Sequence, residues 1–388
     1  MVHIHFSVCG IGFGHASRVY TIIREIEKLG LSFSVSTYGD AVGFFERQGI
    51  DVYTVPGIDY GRGPNGEVSI KATILSNLLL PIKVTAQALV EARLMEMVGA
   101  DVVLSDTRAS AILASKILGT PSLLILNQYR VLLMKDKWPR LASFFEDLLN
   151  SYTAAWSLSD ELLIADYPPP LSISRQNLVM RSTDSKRAQY IGPLLQKRPI
   201  ELPPRQRLKA ELGFDPGEPL IAIIPTGPRR DRERFRELAL SILPHLSDFQ
   251  VIMTDVPPGV SRSHNARHRL VEWYDDEYKL LAASDIVVSR AGHTLAAKAL
   301  ALGCRLILCP IPRQTEQLNN ARTLEEMGVA LIVHESELRS AERLRRAINE
   351  VYGGINEENL RRYKDFVERV DAKKVVVKEL MRAARRDS

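Results

Sequence analysis

Residues 3–37 read HIHFSVCGIGFGHASRVYTIIREIEKLGLSFSVST, and their pattern decides the fold. A β-prone run over 3–9 meets Gly10, Gly12 and Gly14; a helix-period segment covers 16–28, Gly30 ends it, and a second β-prone run spans 33–37. Strand, glycine loop, helix and strand make up the unit of a parallel sheet, because parallel neighbours need a crossover between them. Working outward, β-prone runs at 101–105 and 122–126 flank a helical stretch at 109–118 that Gly119-Thr120-Pro121 closes. The first half reads as doubly wound α/β.

Pro193, Pro199, Pro203, Pro204, Pro216 and Pro219 then crowd one segment. They suit a stiff linker with one short helix, 205–212, better than a packed sheet. The pattern restarts with runs at 220–225, 250–254, 285–289 and 305–309, a loop Thr226-Gly227-Pro228 and a helix over 231–243. Two α/β domains are expected, 1–195 and 196–388. Basic helical stretches, 340–350 and 357–383, end the chain. The last of them either crosses back to brace the first domain or stays a solvated tail.

The length of 388 residues allows two cores, and 45% hydrophobic with 25% charged residues excludes a disordered or fibrous chain. A net charge of +5, spread along the chain, favours anionic ligands or an anionic membrane surface only weakly. Nucleic acid is not an expected partner, since no reading module or aromatic-studded basic stripe is present. Cys9, Cys304 and Cys309 form no CxxC pair and sit in apolar runs, as reduced core thiols rather than metal ligands do. No run approaches ~18 apolar residues and no signal-peptide pattern opens the sequence, so a cytoplasmic location is expected.

Two loops carry candidate chemistry. In the first, His15 follows the glycines at the mouth of a helix, where imidazole suits proton abstraction from a hydroxyl; the alternative is a residue that merely packs or caps. A dinucleotide fingerprint would need glycine where His15 stands, although Asp40 after the second strand keeps that reading open. Asp106 ends the strand at 101–105 and either orients the imidazole or caps the following helix. The second loop is Ser289-Arg290-Ala291-Gly292-His293-Thr294, with Gln314-Thr315-Glu316-Gln317 beyond it. A glycine turn with histidine and hydroxyl at a helix start can hold a diphosphate without a metal.

Residues 285–333 resemble the donor-binding segment of GT-B glycosyltransferases of the MurG and UDP-glucuronosyl type, and residues 9–18 resemble the acceptor loop of their first domain. The resemblance implies two Rossmann-like domains facing across a cleft, the first binding acceptor and the second donor. It implies an inverting hexosyltransferase without metal or other cofactor, acting on a nucleoside-diphosphate sugar, UDP-sugar favoured. It places Gly292, His293 and Thr294 on the diphosphate, Glu316 and Gln317 on the sugar, and Asn320 behind that loop or on the nucleotide. Thr226 and Gly227 form a phosphate-side loop, with Arg230 and Arg290 adding charge nearby. Gly12 and Gly14 shape the acceptor loop, with His15 as base and Asp106 behind it. Lys298 departs from the family pattern, standing where relatives carry a ribose-binding glutamate; it has donors and no acceptor.

The acceptor is read from the apolar stretch 74–82 and from 131–145, which mixes leucines and aromatics with Lys135, Lys137, Trp138 and Arg140. These fit either a polyprenyl-linked acceptor at a membrane surface or a core helix with snorkelling lysines. Two other function classes fit the same frame: a nucleotide-sugar epimerase or hydrolase, and a non-catalytic sugar-nucleotide-binding subunit.

Overall fold

The computed structural model describes residues 2–57, 80–135, 139–257, 267–272, 274 and 276–385. The chain forms two compact units: Met1–Pro168 with Ser174–Leu195 and Asp371–Ser388, and Pro169–Ile173 with Gln196–Val370.

The first unit carries strands β1 (His3–Val8), β2 (Ser32–Thr37), β3 (Tyr53–Thr54), β4 (Val102–Asp106), β5 (Ser122–Leu126), β6 (Glu161–Ile164) and β7 (Ala188–Tyr190). All pair in parallel, in the order β3-β2-β1-β4-β5-β6-β7. Its helices are α1 (Gly14–Lys28), α2 (Asp40–Arg47), α3 (Leu80–Val98), α4 (Ala109–Leu118), α5 (Pro139–Tyr152) and α6 (Ser182–Arg187). Alternation along β1 explains the packing. Ile4, Phe6 and Val8 enter an apolar core with Val19, Ile22, Ile23 and Ile26, the helix-spaced face of α1. His5 and Ser7 are also fully buried, and both meet Glu91 of α3.

The second unit repeats the plan with β8 (Leu220–Ile224), β9 (Gln250–Met253), β10 (His268–Leu270), β11 (Ile286–Ser289), β12 (Arg305–Leu308) and β13 (Ala330–Ile332). These six are parallel too, in the order β10-β9-β8-β11-β12-β13. The helices are α7 (Arg205–Glu211), α8 (Arg229–Ile242), α9 (Glu277–Ala283), α10 (His293–Ala301), α11 (Thr315–Glu326), α12 (Ala341–Gly354) and α13 (Glu357–Arg369).

The stretch 357–383, read from sequence as one helix of the second domain, is two helices. Val370 and Asp371 are extended, and α14 (Ala372–Ala384) starts afresh after them. Ala372, Val376, Leu380 and Ala383 of α14 complete the core of the first unit. Lys373 lies 3.5 Å from Glu25 of α1, and Arg382 donates to Glu161 of β6 at 2.5 Å.

Candidate active site

The strand order turns back between β1 and β4 in one sheet and between β8 and β11 in the other. At such switch points the loops after the strands diverge and leave a crevice at the carboxyl edge. Both loops singled out in the sequence lie at these points.

In the first unit the glycine loop is fixed by close approach. A Cβ on Gly10 would sit 1.8 Å from the Tyr38 carbonyl oxygen, and Gly12 takes φ +67. The Gly12 N–H donates to Asp40 Oδ2 at 3.1 Å, which ties Asp40 to the loop itself. Gly14 then opens α1 and puts His15 in its first turn. His15 Nδ1 lies 2.7 Å from Asp106 Oδ1, with the imidazole 18% exposed and Asp106 fully buried. The Asp106 carboxylate caps nothing; α4 has Arg108 at its N-cap position.

Arg18, one turn along α1, clamps the same carboxylate. Its Nε donates to Asp106 Oδ2 at 2.5 Å, its Nη2 to Oδ1, and its Nη1 to Asn127 Oδ1 at 2.8 Å. Thr107, held at φ 63, donates from Oγ1 to Asp106 Oδ1 at 3.0 Å. Such a backbone is rare for a β-branched residue. Burial opposes ionisation of Asp106, but the charges of Arg18 and His15 outweigh it and hold the carboxyl well below the usual range. Burial likewise disfavours imidazolium at His15, yet the negative charges of Cys9 and Asp106 push its pKa above the usual imidazole value, against the opposing charge of Arg18, which makes the ring a stronger base.

The sequence reading missed Arg18, Thr107, Asn127 and the proximity of Cys9. Only Arg18 left a signal, its i,i+3 spacing from His15 on one helix face.

In the second unit Thr226 and Gly227 follow β8, with Gly227 at φ +105. Thr226 Oγ1 is buried without a hydrogen-bond partner, an orphan that a ligand oxygen would satisfy. Across the switch point Gly292 occupies the N-cap of α10, where a helix presents its first amides and the positive end of its dipole. His293 is buried at the first position and Thr294 half-buried at the second. Asn320 Nδ2 donates to the Ala291 carbonyl at 3.3 Å and so supports the turn. Gln317 Oε1 accepts the Ile311 N–H at 2.9 Å, and Glu316 stands half-buried in the first turn of α11. Arg230 is exposed in the first turn of α8.

Arg290 requires correction. Its guanidinium is fully buried, 3.0 Å from Glu335 Oε2, bonded to the carbonyls of Asp231 and Cys309 at 3.2 and 3.3 Å, and 4.9 Å over the Phe235 ring. It frames the turn from behind instead of facing a ligand. Lys298 is buried on α10, 2.7 Å from Glu277 Oε2 and 5.5 Å over the Tyr278 ring. Burial opposes its charge, but Glu277 holds it firmly protonated. A cavity of about 1020 Å³ in this unit is lined by Arg205, Asp285, Gly303 and Arg305, at the amino ends of β11 and β12. It lies at the opposite edge of the sheet from these loops, and its Arg205–Asp285 and Arg305–Glu357 charges are already paired.

Comparison with known proteins agrees with this fold. Residues 2–151 match the model for glycosyl transferase family 1, and residues 245–376 the model for the glycosyltransferase family 28 C-terminal domain. The chain is a GT-B glycosyltransferase. This glycosyltransferase is 25% identical to an uncharacterized glycosyltransferase of Methanopyrus kandleri, across 84% of this chain and 91% of that one. Over 34% of its length it is 32% identical to the UDP-N-acetylglucosamine--N-acetylmuramyl-(pentapeptide) pyrophosphoryl-undecaprenol N-acetylglucosamine transferase of Listeria welshimeri, covering 39% of that enzyme. In fold the glycosyltransferase is similar to the kitacinnamycin glycotransferase, with TM-score 0.67 at 17% identity over 98% of both chains.

Proposed function

We propose that this glycosyltransferase moves a hexose, with inversion, from a nucleoside-diphosphate donor to an acceptor hydroxyl, UDP-sugar being the favoured donor. The observation that carries the reading is the 2.7 Å contact between His15 Nδ1 and the buried Asp106 carboxylate at the first switch point. Asp106 orients the imidazole so that its other nitrogen receives the hydroxyl proton as the acceptor oxygen bonds to the anomeric carbon. The bond from that carbon to the diphosphate breaks on the opposite side. The leaving charge is met by the start of α10, by Thr226 Oγ1 and by Thr294, in place of a metal ion. Glu316 and Gln317 take the sugar hydroxyls, and Arg230 adds positive charge at the rim.

The acceptor belongs to the first unit. Leu141, Phe144 and Leu148 line one side of α5 and are 42%, 62% and 39% exposed, which supports an acceptor with an apolar portion such as a polyprenyl chain. Residues 74–79, Lys137 and Trp138, named with this surface, lie outside the described residues.

The test begins with nucleotides. Stabilisation by one family of nucleoside diphosphates, measured as a rise in Tm and lost in Thr226→Ala and His293→Ala, fixes the donor. Turnover is then followed with soluble and polyprenyl-linked acceptors. His15→Ala is expected to lower kcat by about 10²–10⁴-fold while the donor-induced Tm rise persists. Unchanged turnover in that variant would overturn the base assignment. Conversion of the donor sugar without any acceptor would replace transfer by epimerisation or hydrolysis.

A further inference from the structure

Lys298 has no role in the scheme above, yet it stands on the helix that opens at the Gly292 turn. Thr294 and Lys298 are four residues apart on α10, so they share a face and lie about 6 Å apart along its axis. Lys298 is buried, its Nζ 2.7 Å from Glu277 Oε2 and 5.5 Å from the centre of the Tyr278 ring. That ring is itself fixed, its hydroxyl accepting the Gln196 N–H at 2.9 Å. An ammonium taken out of water is costly unless it is paired, which ties Glu277 to this position. Glu277 differs from its partner in staying 40% exposed, and among the described residues its Oε1 has no partner. It opens α9, the helix that leads into β11, and in a parallel sheet such a helix starts at the carboxyl edge, where the Thr226 and Gly292 loops lie. The adjacent carboxylate is already occupied: Asp276 Oδ1 accepts the Lys279 N–H at 3.0 Å, and Oδ2 accepts from Lys197 at 2.6 Å.

We propose that Glu277 receives a hydrogen bond from a ribose hydroxyl of the donor through Oε1, and that Lys298 is the positioning residue that holds the carboxylate in place. This rests on the reading of the donor as a nucleoside-diphosphate sugar. In such a donor one methylene joins the ribose to the diphosphate, so the ribose comes within about one helical turn of the groups that hold the phosphates, the separation between Thr294 and Lys298. A ribose hydroxyl that donates needs an acceptor, and Lys298 offers none. Glu277 supplies it from the neighbouring helix, so the ion pair turns a position that can only donate into one that presents a carboxylate. A hydroxyl donating to a carboxylate forms a charge-assisted bond, stronger than its neutral counterpart. The pair therefore sets a preference for a ribose over a deoxyribose.

Binding tests this without turnover. Isothermal titration with UDP, GDP and ADP identifies the base, and the diphosphate bound most tightly is compared with its 2′-deoxy and 3′-deoxy forms and with inorganic pyrophosphate. In the wild type at least one deoxy form should bind about 10–100-fold more weakly than the ribonucleotide. Glu277→Ala should lose a similar factor for the ribonucleotide while binding of that deoxy form and of pyrophosphate is retained. Where Glu277→Ala alone fails to fold because Lys298 is left buried without its partner, Glu277→Ala with Lys298→Met removes both charges and gives the same readout. Lys298→Met by itself keeps the carboxylate but frees it, and should narrow the ratio of ribose to deoxyribose binding, which a lysine of purely structural importance would leave alone.

Equal binding of ribose and deoxyribose forms by the wild type, or a ratio unmoved by the loss of Glu277, overturns the proposal and leaves the donor reading standing. A ratio unmoved in Lys298→Met alone overturns the positioning role of Lys298. If no nucleoside diphosphate binds more tightly than pyrophosphate, the donor reading itself falls and the proposal with it, so the two failures are distinct.

Discussion

Arg18 shows how much of the His15–Asp106 pair depends on a third, buried side chain. Its fork bridges Asp106 and Asn127, the residues at the ends of β4 and β5, and keeps the carboxylate ionised against burial. Lysine keeps the charge but offers a single point in place of a planar fork, so Arg18→Lys cannot hold both partners at once. A displacement of the Asp106–His15 pair by about 1 Å is enough to cost roughly 10²-fold in kcat. Steady-state kinetics should show that loss with donor KM little altered, since the donor residues are in the other unit. A kcat equal to wild type would mean that Asp106 is positioned by its strand alone. At this scale the sequence was partly legible. His15 and Asp106 announce themselves as polar residues after strands, whereas an arginine on a helix face usually points to solvent and a buried cysteine usually packs. Arg290 was misread because adjacency to a glycine turn does not tell which way the side chain leaves the strand.

Among the elements, β1 and β2 carry the most informative pattern. The alternation in His3–Val8 resembles that of a half-solvated strand, yet both faces are covered. The polar face is satisfied by one carboxylate: Glu91 of α3 bonds His5 at 3.0 Å, Ser7 at 3.1 Å and Ser36 at 2.8 Å, and pairs with Arg108 at 2.5 Å. Because Arg108 follows Asp106 and Thr107, this network also anchors the turn that presents the Asp106 carboxylate. Burial works to raise the Glu91 pKa, but Arg108 and His5 outweigh it and bring it from 4.5 to about 2. A depressed carboxyl contributes stability that is complete above its unfolded value of 4.5 and is lost as pH falls through about 2. Glu91→Gln should remove that part of the acid dependence and, by leaving Arg108 buried without its partner, lower stability by about 3–5 kcal/mol at neutral pH. Denaturant titrations at several pH values check both; an unchanged acid slope in the variant would place the pH dependence elsewhere. The strands, crossovers and glycine loops were legible because hydrophobic period and glycine placement are local properties. The break at Val370 and Asp371 was not, since no glycine or proline marks it and helical period continues on both sides.

At the scale of the molecule, the same winding occurs twice, and each repeat puts its candidate chemistry where its strand order reverses. The repeats differ in how they are closed. The second unit is complete by Val370, whereas the first lacks part of its core until the chain returns as α14. Val376 and Leu380 are fully buried there, and burying a side chain of that size contributes about 1.5–3 kcal/mol each. Together they are a large share of an ordinary domain's stability. A chain ending at Val370 should therefore have a first unit that opens more readily while the second is unaffected. Amide exchange separates the two, because it reads local opening strand by strand. Protection along β1 and β4 is expected to fall, that along β8 and β11 to stay, and the donor-induced protection at the start of α10 to survive. Full protection of β1 and β4 in the shortened chain would show that α14 covers the first core without stabilising it.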